Sequence, residues 1–310
     1  MSSSPNDQSA SGPIDLGLVR RLFQSPRHFA DSDFLRREIA SRMHERLALI
    51  RIAPRRVLDI GCGDGPDLGR LQEQYPRAEV LGLDASERLL REARSRHQAA
   101  SSAVGRLLGR WLRQGTPHLG PAGLVCADLA QLPLQTAAVD LAWSNLALHW
   151  HPQPDRVFAE WRRILAVDGL LMFSCFGPDT FKEVRAAFAE ADRDAHTLAF
   201  VDMHDFGDML VNAGFSTPVM DMETITVTYE DVDKLMRDVR AWGGNPLLTR
   251  RRALLGRAAW QRARQALEAM RGADGRISLT FEVVYGHAFR PAPSKTAGGE
   301  SIIRFEPRRK

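Results

Sequence analysis

Cysteine is scarce in this chain. Cys62, Cys126 and Cys175 are odd in number and far apart, so they make neither a disulfide framework nor a metal-ligand spacing. Reduced thiols in a cytoplasmic protein are the expectation. No apolar run is long enough to span a bilayer, and no membrane partner is expected. Residues 1–12 are Ser-rich, polar and arginine-poor. They lack the apolar core of a secretory signal and read as a disordered tail. Internal repeats are absent. Basic segments lack the interleaved aromatics of a nucleic-acid surface, so no nucleic-acid partner is expected. What is present is ordinary for a globular protein: 310 residues, 44% hydrophobic, 26% charged and a net charge of +4. That length suits one large domain or a domain with a cap.

The pattern along the chain is an alternation of strands and helices. Residues 33–52 read as a helix capped by Asp33, with Phe34, Leu35, Ile39, Met43, Leu47 and Ile50 near helical spacing. Strands are expected over 57–60, 79–83, 124–126, 139–143 and 170–175, and helices over 66–74, 86–97 and 154–165. This rhythm implies a doubly wound, mostly parallel α/β sheet with helices on both faces. Residues 101–123 are too long for a connection and read as a surface insertion, with a helical piece around 107–112. From Pro178 the pattern turns helical (180–192, 204–212). A β-rich run at 224–229, helices over 231–242 and 249–271, and a last strand over 278–289 follow. The two late strands can pair as an antiparallel edge, with the intervening helices as a cap. Residues 291–310 are rich in Pro, Gly and charge and read as disordered.

The most informative stretch is Val57-Leu-Asp-Ile-Gly-Cys-Gly-Asp-Gly65. A buried strand runs into closely spaced glycines, and Pro66 suits the first turn of the next helix. This makes a crevice where a nucleotide-like ligand can touch bare backbone. The spacing G-x-G-x-G is not the dinucleotide fingerprint, and Asp59 precedes the first glycine. Asp59, Asp64 and Asp67 crowd a helix N-terminus that a phosphate would need free of negative charge. A cationic or zwitterionic ligand is therefore expected. Asp84 ends the second strand, where an acid can accept from both ribose hydroxyls. Asp128 and Leu129 end the third, suited to an adenine amino group and ring. Ser144-Asn-Leu-Ala-Leu-His-Trp150 ends the fourth. Each of these also has a plainer reading: a helix cap for Asp84, an ordinary strand-end acid for Asp128, packing for Asn145 and Trp150. His149-x-His151 has no third ligand nearby, so no metal is expected.

In this order the motifs resemble class I S-adenosylmethionine-dependent methyltransferases over roughly residues 55–176. The resemblance implies a seven-stranded Rossmann-like sheet and S-adenosyl-L-methionine as cofactor. It implies cofactor contacts at Asp59, Gly61, Cys62, Gly63, Asp84, Ala85, Asp128, Leu129 and Asn145, with Asp59 organising the methionine amino group. The expected division is a tail over 1–12, a helical segment over 13–54, and the cofactor-binding core over 55–229 with its insertion at 101–123. A helical substrate cap over 230–275, a final core strand over 276–290 and a tail over 291–310 complete it.

A finer resemblance is carried by Leu141-Ala-Trp-Ser-Asn-Leu-Ala147 with Trp150, Gln131-Leu-Pro-Leu134, residues 200–215, and Leu279-Thr-Phe281 with Gly286. Together these are similar to the malonyl-acyl-carrier-protein O-methyltransferase family of biotin synthesis, over most of residues 23–291. The chain departs from that family in the 101–123 insertion and in Phe23 and Phe29, which replace a Phe…Tyr arrangement. Phe176-Gly-Pro-Asp-Thr180, Asp205-Phe-Gly207 and Ala213-Gly-Phe215 also resemble a mitochondrial complex I assembly factor of the same fold, linked to a protein arginine. A binding module without catalysis is a third reading.

The finer resemblance implies methyl transfer to a malonyl carboxylate. That nucleophile is already ionised near neutral pH, so no catalytic base is expected, only alignment and desolvation. Trp150 and Phe176 are candidate pocket walls. Arg250, Arg251 and Arg252, with Arg257, Arg262, Arg264 and Arg271, are expected to make one basic helix. That helix is either a solvated face or a docking face for an acidic acyl carrier protein.

Overall fold

The computed structural model describes residues 12–24, 33–103, 123–242 and 244–293. The expected tails, save for residue 12 and residues 291–293, lie outside the described residues, as do most of the 101–123 insertion with its 107–112 helix, and Phe29. Seven strands form one sheet in the order β3-β2-β1-β4-β5-β7-β6. They are β1 (Arg56–Ile60), β2 (Glu79–Asp84), β3 (Gly123–Cys126), β4 (Val139–Asn145), β5 (Leu165–Phe176), β6 (Ser216–Tyr229) and β7 (Ile277–Phe289). The first five are parallel, and β7 pairs antiparallel with both β5 and β6. The antiparallel pairing of the two late strands is as the sequence implied, but β7 is internal and, of these two, β6 alone lies at an edge.

Side chains alternate along each strand, so each face buries its own cluster. On one face Val57, Leu141, Trp143, Leu170 and Met172 meet Leu35, Ile39, Met43 and Leu47 of helix α2 (Asp33–Ala48). The α1 helix (Leu16–Phe23) precedes it. On the other face Leu58, Ile60, Leu171 and Phe173 meet Val157, Phe158 and Trp161, which belong to the helix Pro154–Ile164. Helices α3 (Pro66–Gln74) and α4 (Glu87–Ala103) follow β1 and β2, so Pro154–Ile164 is α5 in chain order. Pro66 and Pro154 both stand in first turns, where a missing N–H costs nothing. The α4 helix begins one residue after Ser86, whose Oγ accepts from Leu89 N at 3.4 Å. It runs six residues past the expected end, into the segment read as an insertion.

Helices α6 (Lys182–Ala189) and α7 (Met203–Asn212) precede β6, and α8 (Val232–Ala241) and α9 (Arg257–Ala269) lie between β6 and β7. The expected basic helix over 249–271 is a correction. Residues 249–256 are not helical, so Arg250, Arg251 and Arg252 lie before α9 and not on it. Gly256 stands at the N-cap with extended dihedrals, and the helix starts only after it.

Candidate active site

A cleft of about 1000 Å³ opens at the carboxyl ends of β1, β2 and β4, lined there by Gly61, Gly63, Asp84, Ala85 and Asn145. The glycine turn is tied to its neighbour strand: Gly61 N and Cys62 N both donate to Leu83 O, at 2.7 and 2.9 Å. Gly61, Gly63 and Gly65 all have positive φ. A Cβ on Gly61 would lie 2.3 Å from the Cβ of Ala147, which follows β4. The turn therefore presses against the end of β4 with no room for a side chain.

Asp84 joins the parts. Its two oxygens accept from Gly63 N at 2.9 Å and Ser86 N at 2.7 Å, and each oxygen keeps capacity for a second donor. Burial pushes its carboxyl up to about 6, against the two backbone hydrogen bonds that pull it down. Asp128 and Leu129 line the same cleft. Asp128 pairs with Arg20 of α1 at 3.1 Å. Asn145 is fully engaged: it donates to Arg36 O and Asp67 Oδ2, each at 3.2 Å, and accepts from Ser174 Oγ at 2.8 Å.

The acid cluster has a different character from the one the sequence suggested. Asp64 is neutralised by Arg36 at 2.9 Å and Arg96 at 2.6 Å. Asp67 accepts from Trp143 Nε1 at 3.3 Å as well as from Asn145. Asp59 is buried behind the turn and does not line the cleft; its Oδ2 has no hydrogen-bond partner among the described residues. Burial, and then the nearby charges of Asp67 and Asp84, push its carboxyl well above the usual carboxylate range.

Three other placements differ from expectation. The Cys62 side chain is buried away from the cleft because its sulfur fills the space above Gly82, where a Cβ would lie 3.0 Å from it. Phe176 is not a wall. It is 1% exposed and packs behind His149, with ring centroids 4.9 Å apart. Arg250 and Arg251 are already used internally. Arg250 Nη1 donates to Leu247 O at 2.8 Å and faces Asp15 at 3.6 Å, while Arg251 lies 3.3 Å from both Asp192 and Asp194. Trp150 does line the cleft, edge-on to Phe23 at 5.2 Å.

Several lining residues were not singled out from the sequence. Leu16, Val19, Arg20 and Phe23 place α1 over the cleft. The strand-like residues before α1 are strapped to the loop after α8, with Asp15 N donating to Pro246 O at 2.8 Å and Leu248 N to Pro13 O at 2.7 Å. The i, i+3, i+7 spacing of Leu16, Val19 and Phe23 was the available signal. Arg36 lies beside Gly63. Burial opposes its charge, but Asp64 and Asp33 outweigh that and hold it ionised. His149, noted in the sequence only as half of His149-x-His151, also lines the cleft, and from the α8 end so do Ala241 and Trp242.

Residues 58–173 match the family model of a methyltransferase domain. Among solved structures the chain is similar to the YcgJ protein of Bacillus subtilis, with a TM-score of 0.55 at 14% identity, covering 81% of this chain and 98% of that one. A Haemonchus contortus phosphoethanolamine N-methyltransferase 2, solved with S-adenosylhomocysteine, gives a TM-score of 0.50 at 13% identity, covering 88% and 61%. With its seven-stranded sheet and strand-end cleft, this chain is a class I S-adenosylmethionine-dependent methyltransferase. It is 50% identical to a malonyl-[acyl-carrier protein] O-methyltransferase of Laribacter hongkongensis over 88% of this chain and 89% of that one. A protein of the same name from Gallionella capsiferriformans is 44% identical, covering 94% and 96%. The chain belongs to the malonyl-[acyl-carrier protein] O-methyltransferase family.

Proposed function

We propose that this protein transfers a methyl group from S-adenosylmethionine to the free carboxylate of a malonyl thioester on acyl carrier protein, as a step toward biotin. Near-full-length identity of 50% to a relative bearing that name is the observation that carries the reading. The cleft's residues fit the cofactor. Gly61 and Gly63 offer backbone without side chains, and the unpartnered Asp59 Oδ2 lies behind them. In this reading the arriving methionine ammonium favours the ionised form of Asp59 behind the turn, and Arg36, beside Gly63, faces the methionine carboxylate. Asp84 holds the ribose through its spare lone pairs. Ala85, Asp128 and Leu129 hold the adenine, with Cys62 contributing backbone only.

When bound, the cofactor supplies a methyl group on a positively charged sulfur, whose bond to carbon breaks with the electron pair left on sulfur. A carboxylate oxygen needs no proton removed to accept it. The protein's part is to align the carboxylate and exclude water, which can lower a barrier by roughly 7–11 kcal/mol. Helix α1 from one side and Trp242 from the other close the cleft for that purpose. With Arg250 and Arg251 engaged internally, the exposed Arg252 is the remaining docking candidate of the three for an acidic carrier.

Incubation with methyl-labelled S-adenosylmethionine and malonyl-carrier protein, malonyl-CoA or a protein acceptor tests this. The expected product is a base-labile methyl ester on malonyl-carrier protein. Label on none of the three, or base-stable label on the protein acceptor alone, overturns it.

A further inference from the structure

His149 sits on the short 3-10 turn Leu148–Trp150 that follows β4, and it lines the cleft. It is 6% exposed, and neither Nδ1 nor Nε2 has a hydrogen-bond partner among the described residues. Its surroundings explain why nothing internal satisfies it. The ring stacks in an aromatic wall, with centroids 4.8 Å from Trp150, 4.9 Å from Phe176 and 5.7 Å from Phe200. Burial alone pushes the imidazole down to about 3, so it is neutral at physiological pH. A neutral imidazole has one N–H donor and one bare acceptor. Buried polar groups are almost always paired, so an imidazole with both nitrogens unpaired at a cleft wall is set for a group that enters the cleft.

The position of the ring decides which group. Ala147, two residues earlier, closes on the glycine turn. His149 lies beyond it, and Phe176 connects it to Trp242 at the end of α8, with centroids 5.5 Å apart. The ring is therefore linked through Phe176 to the α8 end of the cleft. A dry aromatic wall favours a neutral partner over a second carboxylate, since an unneutralised charge is costly there. We propose that the His149 N–H donates a hydrogen bond to the thioester carbonyl oxygen of the acceptor and so orients the malonyl group with its carboxylate toward the methyl donor. This rests on the malonyl-thioester reading above. It makes His149 a substrate-orienting residue and a discriminator for acyl thioesters over simple carboxylates.

The test uses the full chain with His149→Phe, which keeps a flat ring, and His149→Gln, which restores a donor and an acceptor. Methyl transfer is measured with malonyl-carrier protein and with a carrier bearing a carboxyethyl thioether, which has the carboxylate but no thioester carbonyl. His149→Phe should lower kcat/KM for malonyl-carrier protein by about ten- to a hundredfold and leave the dissociation constant for S-adenosylmethionine within twofold. His149→Gln should recover most of the loss. On the thioether, wild type and His149→Phe should be equally slow. Equal losses on both acceptors, a large change in cofactor affinity, or undiminished activity of His149→Phe overturns the assignment. A wild-type enzyme that methylates no malonyl thioester overturns the underlying reading, and this inference with it; an active wild type with an indifferent His149→Phe removes only the inference.

Discussion

Asp84 is the residue on which the cleft's electrostatics turn. Its carboxyl is pushed up to about 6 by burial, from an ordinary value of 3.8. The folded protein without ligand therefore holds that proton more tightly than the unfolded chain. The stability this gives is fully present below pH 3.8 and is lost as pH rises through about 6. Ribose hydroxyls donate to the ionised form, so cofactor binding runs the opposite way. Affinity for S-adenosylmethionine is expected to weaken as pH falls below about 6. Binding near that pH should release protons, which calorimetry in two buffers of different ionisation enthalpy would register. A binding enthalpy independent of buffer would argue against Asp84 as the ribose acceptor. The alternation at Val57 to Ile60 and the glycines after it made Gly61, Gly63 and Asp84 legible in the sequence. Arg36 was not, and His149 stood out only as half of His149-x-His151 and not as a cleft residue, because the neighbours that give an imidazole or guanidinium its role come from distant segments.

Among the elements, the loop before α9 shows how charge on paper differs from charge available. Arg251 faces Asp192 and Asp194, so reversing it sets three carboxylates together. Thermal unfolding of Arg251→Glu is expected to show a loss of about 1 kcal/mol, the modest size fitting a partly exposed pair. Arg252→Glu, at an exposed position, should leave the melting temperature unchanged. A rise in KM for carrier-bound substrate in Arg252→Glu but not in a charge-retaining control such as Arg252→Lys would favour docking there. The same consideration applies across the cap. Arg262 Nη2 donates to Ala191 O at 2.8 Å, Arg264 pairs with Asp233 at 3.1 Å, and Arg271 bonds Glu230 O at 3.0 Å. Much of this arginine run is a set of internal clamps. The Gln131–Leu134 motif has a similar explanation, because Arg163 donates to Leu132 O and Leu134 O at 3.0 and 2.8 Å and fixes that loop against α5.

For the whole molecule, the last strand is a keystone. β7 lies between β5 and β6, so the sheet cannot be completed until the final described stretch of chain has been added. Gly286 lets β7 approach its neighbours: a Cβ there would lie 2.4 Å from two ring carbons of Phe173. Gly286→Ala is expected to cost about 1–3 kcal/mol through overpacking, read as a lower midpoint in urea. No change in midpoint would mean that the Phe173 ring yields freely. The exposed β6 edge is guarded by charge. Arg42 and Arg46 of α2 reach Glu223 at 2.5 and 2.9 Å, and Arg46 reaches Asp221 at 2.6 Å. Such ion pairs along an edge discourage pairing with another chain.

By itself the sequence determined the parallel sheet, its glycine turn and the acids at its strand ends, because hydrophobic period and glycine geometry are local properties that short-range sterics enforce. The order in which β7 and β6 pair, the folding of α1 over the cleft, the neutralisation of Asp64, the internal use of Arg250 and Arg251 and the unpaired state of His149 were decided only in the tertiary structure. Each depends on which distant side chain arrives beside it, and a charge or an imidazole acquires its character from that neighbour and from how much water is left around it.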